Sequence, residues 1–304
     1  MIRVLVTGAG GQVGADVAHA LRGRAEVVAH DRSTLDLARP EAIVERVREA
    51  RPALIVNAAA YTAVDRAEKE PEIARAVNAR APEVLAAEAR RAGALLVHYS
   101  TDYVFDGAKA GAYDESDTPA PLNVYGATKL EGERAVASSG CAHLILRTSW
   151  VYAPRGRNFL LTMLALAARQ REIRVVDDQH GAPTASLELA RATLEVLAGP
   201  GSRPIGGDDL ERAAAAGGLY HATAAGDTTW FGFASEIFRR RAGRAGPGFT
   251  PPVLVPIPSS EFPTPARRPR NSVLSCERLR CAFGVRLAPW EDGLAEAMSR
   301  LPAG

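Results

Sequence analysis

Five short apolar runs recur through the first half of the chain: RVLVTG (3–8), EVVAHD (26–31), ALIVNAAA (53–60), ALLVHYS (94–100) and HLILRTS (143–149). Amphipathic stretches near 12–22, 40–50, 72–92 and 124–138 lie between them. Parallel strands are buried on both faces and need a long connection, so this alternation predicts a parallel sheet with crossover helices. After Trp150 the rhythm loosens. Helices are expected near 157–170 and 186–198, a further strand at GLYHATA (218–224), and a helix at WFGFASEIFRRR (230–241) returning to the main sheet. The Gly-rich, Ala-rich segment 199–218 reads as an exposed insertion. From Gly243 onward proline and glycine dominate, and TPPVLVPIPSSEFPTPARRPRNS is too proline-rich for a central strand or helix. The expected organisation is a sheet domain over 1–153, with returning segments at about 184–198 and 218–242. A smaller lobe, built from about 154–183 and 243–304, would sit over the carboxyl ends of the strands, where ligands bind in such sheets.

A chain of 304 residues is long enough for a sizeable core. Its formal charge of +2 argues against a nucleic-acid partner, and no run of 18 apolar residues suggests a membrane span. Cys141, Cys276 and Cys281 form no C-x-x-C and cannot all pair, which suits a reducing compartment. Met1 leads straight into a strand without a signal-like segment. A cytoplasmic protein is expected.

VTGAGGQVG (6–14) follows the first strand and opens the first helix. Val13 breaks a strict G-x-G-x-x-G, and the pattern that fits is G-x-x-G-x-x-G at Gly8, Gly11 and Gly14. Such glycines let the backbone turn tightly and approach a pyrophosphate, whose charge then rests on helix N-terminal N–H groups. In its strand–loop–helix context the loop reads as a dinucleotide site on a Rossmann-type, doubly wound α/β sheet. Asp31 ends the second strand where an acid would bind the ribose hydroxyls, favouring NAD; Arg32 beside it would hold a 2′-phosphate, favouring NADP. Both NADPH and NADH are expected to serve.

LNVYGATKLEGE (122–133) places Tyr125 four residues before Lys129. The chain has seven tyrosines but only three lysines, Lys69, Lys109 and Lys129, so chance would supply about 0.07 such pairs. Asn123 is a natural N-cap, and Tyr125 and Lys129 then share one helix face. A lysine charge about 4 Å from a phenol is worth on the order of 4 kcal/mol at moderate dielectric, enough to lower its pKa by roughly 2–3 units. HYSTDYVF (98–105) supplies hydroxyls at a strand end. Thr101 is the candidate to polarise a substrate oxygen, whereas Ser100 is better explained as satisfying loop backbone groups. His98, inside the strand, reads as packed rather than ligating.

The glycine loop, STDYVF and YGATK together resemble the extended short-chain dehydrogenase/reductases. Within them VNAAAYTAVDRAE, VHYSTDYVFDG, LNVYGATKLEGE, LRTSWVYA, DDQHGAPT and PTPARRPRNSVL look like the dTDP-4-dehydrorhamnose reductase family. The resemblance runs in order over nearly the whole chain; segment 199–218 is the main departure. It implies NAD(P)H-dependent reduction of the C4 ketone of dTDP-4-dehydro-L-rhamnose. Thr101 would bond the C4 oxygen, Tyr125 would deliver the proton, and Lys129 would tune Tyr125 and hold the ribose. Gly11, Gln12, Val13, Asp31, Asp36, Leu37, Ala60, Tyr61, Thr62 and Tyr103 match positions lining the cofactor. Asp102 and Trp150 match positions facing the dTDP-sugar. Some members dimerise through magnesium bound by acids. Asp16 keeps one such ligand, but Leu187 replaces the next acid and Glu188 stands one position off, leaving monomer or homodimer open. A dehydratase would need a second acid where Tyr103 stands. A reductase of another 6-deoxy-4-keto sugar, a 4-epimerase and a non-catalytic methionine adenosyltransferase regulatory-type subunit are the alternatives of the same fold.

Overall fold

The structure is a computed structural model that describes residues 1–201, 203–245 and 249–301. Ser202 of the 199–218 segment, and residues 246–248 and 302–304 of the expected lobe, lie outside the described residues.

Each of the five apolar runs forms a strand: β1 (Arg3–Thr7), β2 (Glu26–His30), β3 (Leu54–Asn57), β4 (Leu95–Thr101) and β5 (His143–Thr148). They pair in parallel in the order β5-β4-β3-β1-β2, with the strand Gly218–His221 added outside β5. Strand side chains alternate faces, and the sequence obeys this on both sides. Val4, Val6, Leu54, Val56, Leu95 and Val97 face one buried layer; Leu5, Ile55, Leu96 and Ile145 face the other. The first layer is closed by α1 (Gln12–Ala20) and the helix Ser186–Ala198, the second by the helices Pro40–Ala50, Ala81–Ala92 and Val124–Ser138. Chain direction across the sheet reverses between β1 and β3, and a doubly wound sheet binds ligands at such a switch point.

The stretch expected as one helix over 72–92 is divided into Pro71–Arg75, a π-helical turn Ala76–Arg80, and Ala81–Ala92. Pro82 has no N–H to give the Asn78 carbonyl, so the turn before it widens.

A second core gathers Tyr152, Leu160, Met163, Ile173, Val175, Phe233, Ile237, Phe238, Trp290 and Leu294. The helix Trp230–Ala245 therefore packs in the lobe, against the helix Phe159–Ala167 and the strand pair Glu172–Val176 and Val253–Ile257, rather than returning to the main sheet. Its apolar face, Phe233, Ala234, Ile237 and Phe238, recurs at helical spacing, and the aromatic partners it meets belong to the lobe. Conversely, Leu279, Val285 and Leu287 come from the proline-rich half yet join the main-sheet core. Segment 199–218 is not merely an exposed insertion. Gly207–Ala215 is a helix, Ile205, Leu210 and Ala213 are buried in the main core, and Arg203 pairs with Asp209 at 2.5 Å.

Candidate active site

β1 ends at Thr7, and the chain turns through Gly8 into α1 with φ at +72°. A Cβ on Gly8 would stand 2.7 Å from Ala59, and one on Gly14 only 2.2 Å from the Gly8 carbonyl oxygen. Gly14 thus lets α1 close on the loop and does not itself line the cavity, which corrects its expected cofactor contact. Gly11 is the N-cap of α1 and brings no side chain to its first turn, and Gly11, Gln12 and Val13 line the cavity, so the helix start is open to an anion.

The cavity holds about 1120 Å³, room for more than one small ligand. It is lined by Gly8, Gly11, Gln12, Val13, Asp31, Arg32, Asp36, Leu37, Ala60, Tyr61 and Thr62 toward the glycine loop, and by Thr101, Asp102, Tyr103, Tyr125, Lys129 and Trp150 toward the lobe. Asp31 Oδ1 accepts from the Ser33 backbone at 2.9 Å, its hydroxyl at 2.6 Å, and the Thr34 backbone at 3.2 Å. These bonds, the Ser33 hydroxyl first, hold its pKa below the usual carboxylate range. One carboxylate oxygen is spent on the local turn, while Arg32 stands exposed on the cavity wall.

Asn123 caps the helix Val124–Ser138 by accepting from the Gly126 N–H at 2.8 Å, as its residue type predicts. Glu68 accepts from the Val124 N–H at 2.8 Å, so a second side chain pins the same helix start. A Cβ on Gly126 would lie 2.1 Å from the Tyr103 carbonyl oxygen. That contact lets the helix press against the turn Asp102–Val104 and brings Tyr125 beside Thr101. Tyr103 meets Tyr125 edge to face with centroids 5.7 Å apart.

Burial pushes the Tyr125 phenol up to about 12; the Thr101 hydroxyl lowers it and the Asp102 carboxylate raises it further. The causes of this shift are burial, Thr101 and Asp102, and Lys129 is not among them. The Lys129 amine donates instead to the Tyr99 carbonyl at 2.6 Å and lies 3.3 Å from His98 Nε2. The buried helix–strand contact places the lysine amine against β4. Burial lowers Lys129 to about 8, with Glu133 opposing the shift.

Thr101 donates to Asp102 Oδ1 at 2.9 Å and accepts from the Tyr103 N–H at 3.2 Å. Burial raises Asp102 to about 6, against the Ser272 and Thr101 hydroxyls, and its Oδ2 has no hydrogen-bond partner among the described residues. Ser100 Oγ is likewise buried without a partner among them, so it does not satisfy a loop backbone group as expected.

Asp16, the candidate magnesium ligand, is buried and already engaged. It pairs with Arg155 at 2.8 Å and accepts from Ser186 Oγ at 2.5 Å, while Glu188 is taken by Arg191. Among the described residues no group of three or more His, Cys, Asp and Glu side chains is placed to hold a metal.

Three features go beyond the sequence expectations. Asn78 accepts from the Tyr61 N–H at 2.8 Å and donates to the Tyr61 carbonyl and the Thr128 hydroxyl, tying the cavity loop to the helix of Tyr125. Trp230 stacks on Trp150 at 3.6 Å and lines the cavity. Trp150 has φ at +47°, and a Cβ on Gly181 would strike its ring at 2.5 Å. No sequence spacing announces these three; each depends on elements far apart in the chain.

A cavity running from a glycine-opened helix N-terminus at a sheet's switch point to a half-buried phenol has the layout of an extended short-chain dehydrogenase/reductase. Similarity to known proteins narrows that class. The family described as RmlD substrate binding domain matches residues 2–302, and the chain belongs to it. It is 49% identical over 294 residues to the dTDP-4-dehydrorhamnose reductase of Burkholderia thailandensis, covering 95% of each chain. It is 42% identical to that of Escherichia coli K12, covering 99% of this chain and 98% of the other. The crystal structure of the Bacillus anthracis dTDP-4-dehydrorhamnose reductase in complex with NADP superposes with a TM-score of 0.87 at 34% identity. The match covers 98% of this chain and 99% of that one.

Proposed function

We propose that the protein reduces the C4 ketone of dTDP-4-dehydro-L-rhamnose to dTDP-L-rhamnose, drawing on NADPH or NADH. The observation that carries this reading is the convergence of Thr101, Tyr125 and Lys129 on one wall of a cavity whose far end is the glycine loop. The nicotinamide supplies the hydride when bound. The open start of α1 suits its pyrophosphate, and Lys129 suits a ribose.

The chain's own work is proton placement. A ketone oxygen beside Thr101 can take the hydroxyl hydrogen now given to Asp102, which polarises the carbonyl. Tyr125 then gives its proton to the developing C4 alkoxide. An alkoxide is a stronger base than a phenolate whose acid lies near 12, so the transfer runs downhill. Asp102 and the Trp150–Trp230 stack face the sugar nucleotide from the lobe side.

Among the described residues no helix is long and apolar enough to cross a membrane. A cytoplasmic site of action, where reduced nicotinamide is regenerated, completes the reading. Supplying dTDP-4-dehydro-L-rhamnose with NADPH should give a loss of absorbance and stoichiometric dTDP-L-rhamnose; no oxidation of either nicotinamide would sink the proposal.

Cofactor choice is tested at Arg32. Replacing it with alanine is expected to raise KM for NADPH about 10–100-fold, the worth of a charge-assisted hydrogen bond, and to leave KM for NADH within about twofold. Equal changes for both nicotinamides would remove Arg32 from 2′-phosphate recognition.

A further inference from the structure

Three neighbouring strands carry a polar side chain at one level of the sheet, on the face covered by the helix Val124–Ser138. Thr7 on β1 is the register partner of Asn57 on β3, and Asn57 that of His98 on β4. Asn57 and His98 are 0% exposed, Thr7 and Lys129 1%. They form one continuous row: Thr7 Oγ1 to Asn57 Oδ1 at 2.7 Å, Asn57 Nδ2 to His98 Nδ1 at 3.0 Å, and His98 Nε2 to Lys129 Nζ at 3.3 Å. The row begins next to Gly8 and ends at the amine beneath the cavity.

A buried hydroxyl, amide and imidazole must each pair, and each offers both a donor and an acceptor along the row. The row can therefore run in two directions. In one, the direction in which the Asn57 amide is placed, Thr7 donates to Asn57, Asn57 donates to Nδ1, and the imidazole turns its Nε2–H toward Lys129. An ammonium has donors only, so this direction serves a neutral amine. In the other, the Asn57 amide is turned over, His98 donates from Nδ1 to Asn57 Oδ1, and Nε2 accepts from the ammonium. We infer that His98 is a positioning residue for Lys129: with the Tyr99 carbonyl it supplies the acceptors that hold the lysine as an ammonium, and the row reverses when the lysine gives up its proton.

The other groups facing Lys129 do not compete for this role. Glu133, one turn further along the same helix, favours the charged amine but is bound in two hydrogen bonds by Arg147 of β5. Tyr125, one turn earlier, is an uncharged phenol, and Asn57 of β3 cannot ionise. His98 is held uncharged by burial first and by the Lys129 charge second, so it offers a lone pair and not a repelling proton.

The consequence for turnover rests on the reductase reading; the hydrogen-bond direction does not. With only three lysines in the chain, ¹³C-labelled lysine should give a resolvable Lys129 signal in the cofactor-free protein, titrating near 8. Imidazole ¹⁵N shifts should report His98 protonated on Nδ1 at about pH 6 and on Nε2 at about pH 9.5, on either side of that midpoint. His98→Leu should lower the Lys129 midpoint by about one unit, a tenfold loss of proton affinity, because the ammonium loses an acceptor. His98→Gln, which can again present an oxygen, should restore it. In the reductase assay the alkaline limb of kcat should move down in pH in His98→Leu and return in His98→Gln. An Nε2–H tautomer at about pH 6 beside a charged Lys129, or an unmoved Lys129 midpoint in His98→Leu, overturns the inference. If His98→Leu does not fold, the wild-type tautomer decides alone. A correct tautomer in a protein that fails to reduce the sugar would sink the function and spare the row.

Discussion

Tyr125→Phe is expected to lower kcat by about 10³-fold, a loss of about 4 kcal/mol of transition-state stabilisation, with KM for both substrates changed little. The substitution removes one hydroxyl and keeps the ring, so the edge-to-face contact with Tyr103 at 5.7 Å survives. Nothing that sets the helix start depends on that hydroxyl: Asn123 and Glu68 hold the Gly126 and Val124 N–H groups from outside. The loss should therefore fall on the chemical step, because the phenol's proton is needed only as the C4 oxygen gains charge. Thr101→Val should also be slow, and the double variant should be little worse than Tyr125→Phe alone, since in the proposed reaction Thr101 bonds the same oxygen, and its hydroxyl already acts on the phenol. Stopped-flow nicotinamide oxidation under saturating substrate is the measurement. A Tyr125→Phe rate within tenfold of wild type would move the proton donor elsewhere, with the carboxyl of Asp102 the next group on that wall.

What the sequence makes legible follows from how local the cause is. The helices Pro40–Ala50, Val124–Ser138 and Ser186–Ala198 begin and end where their apolar spacing predicts, because periodicity and caps act within a few residues. The cavity lining is also readable, since Gly8, Thr101 and Tyr125 stand at element ends that the strand–helix rhythm brings to one edge of the sheet. The direction of a long side chain is not. Lys129 and Tyr125 share a helix face, yet the hydrogen bonds of the lysine amine go to a carbonyl and an imidazole of β4, which helical spacing does not reveal. Asp31 stands on the expected wall, but the serine two residues later takes one of its oxygens. The helix Trp230–Ala245 is recognisable as a helix and yet joins a different core from the expected one, since periodicity reveals an apolar face and not the partner that covers it. Asn78 and Gly126 matter through contacts 17 and 23 residues away along the chain, at Tyr61 and Tyr103, where no local pattern marks them.

Glu133→Gln is expected to destabilise the fold by about 3–5 kcal/mol, the cost of leaving a buried charge without its partner. For a chain of this length that corresponds to a fall in Tm of about 5–8 °C. Glu133 sits in the last half of the helix that carries Tyr125 and Lys129, and Arg147 sits on β5; both side chains are at most 5% exposed. The guanidinium gives two parallel bonds to the carboxylate, at 2.8 and 2.6 Å, and lies 5.0 Å over the Phe105 ring. A glutamine side chain would keep one acceptor oxygen but no charge, and Arg147 forms an ion pair with no other acid among the described residues. The pair is not fully satisfied even as it stands, because Arg147 Nη1 has no hydrogen-bond partner among the described residues. Burying two ions costs several kcal/mol apiece in desolvation, so an apolar pair of similar volume can match an imperfect ion pair. Glu133→Leu combined with Arg147→Met should accordingly recover most of the stability lost in either single variant. If the double variant is about as unstable as either single, the lost ion pair itself, and not the orphaned charge, is what the singles report; if it is as unstable as their sum, the two side chains are not coupled and the pair does not hold this helix to the sheet. Activity separates the two ends of the helix. Tyr125 is fixed from the Asn123 side, so kcat per folded molecule should stay within a few-fold in the double variant. The Lys129 midpoint should fall there, because Glu133 favours the charged amine. The sign follows from linkage: losing a nearby carboxylate weakens proton binding to the lysine, and the alkaline limb of kcat moves to lower pH.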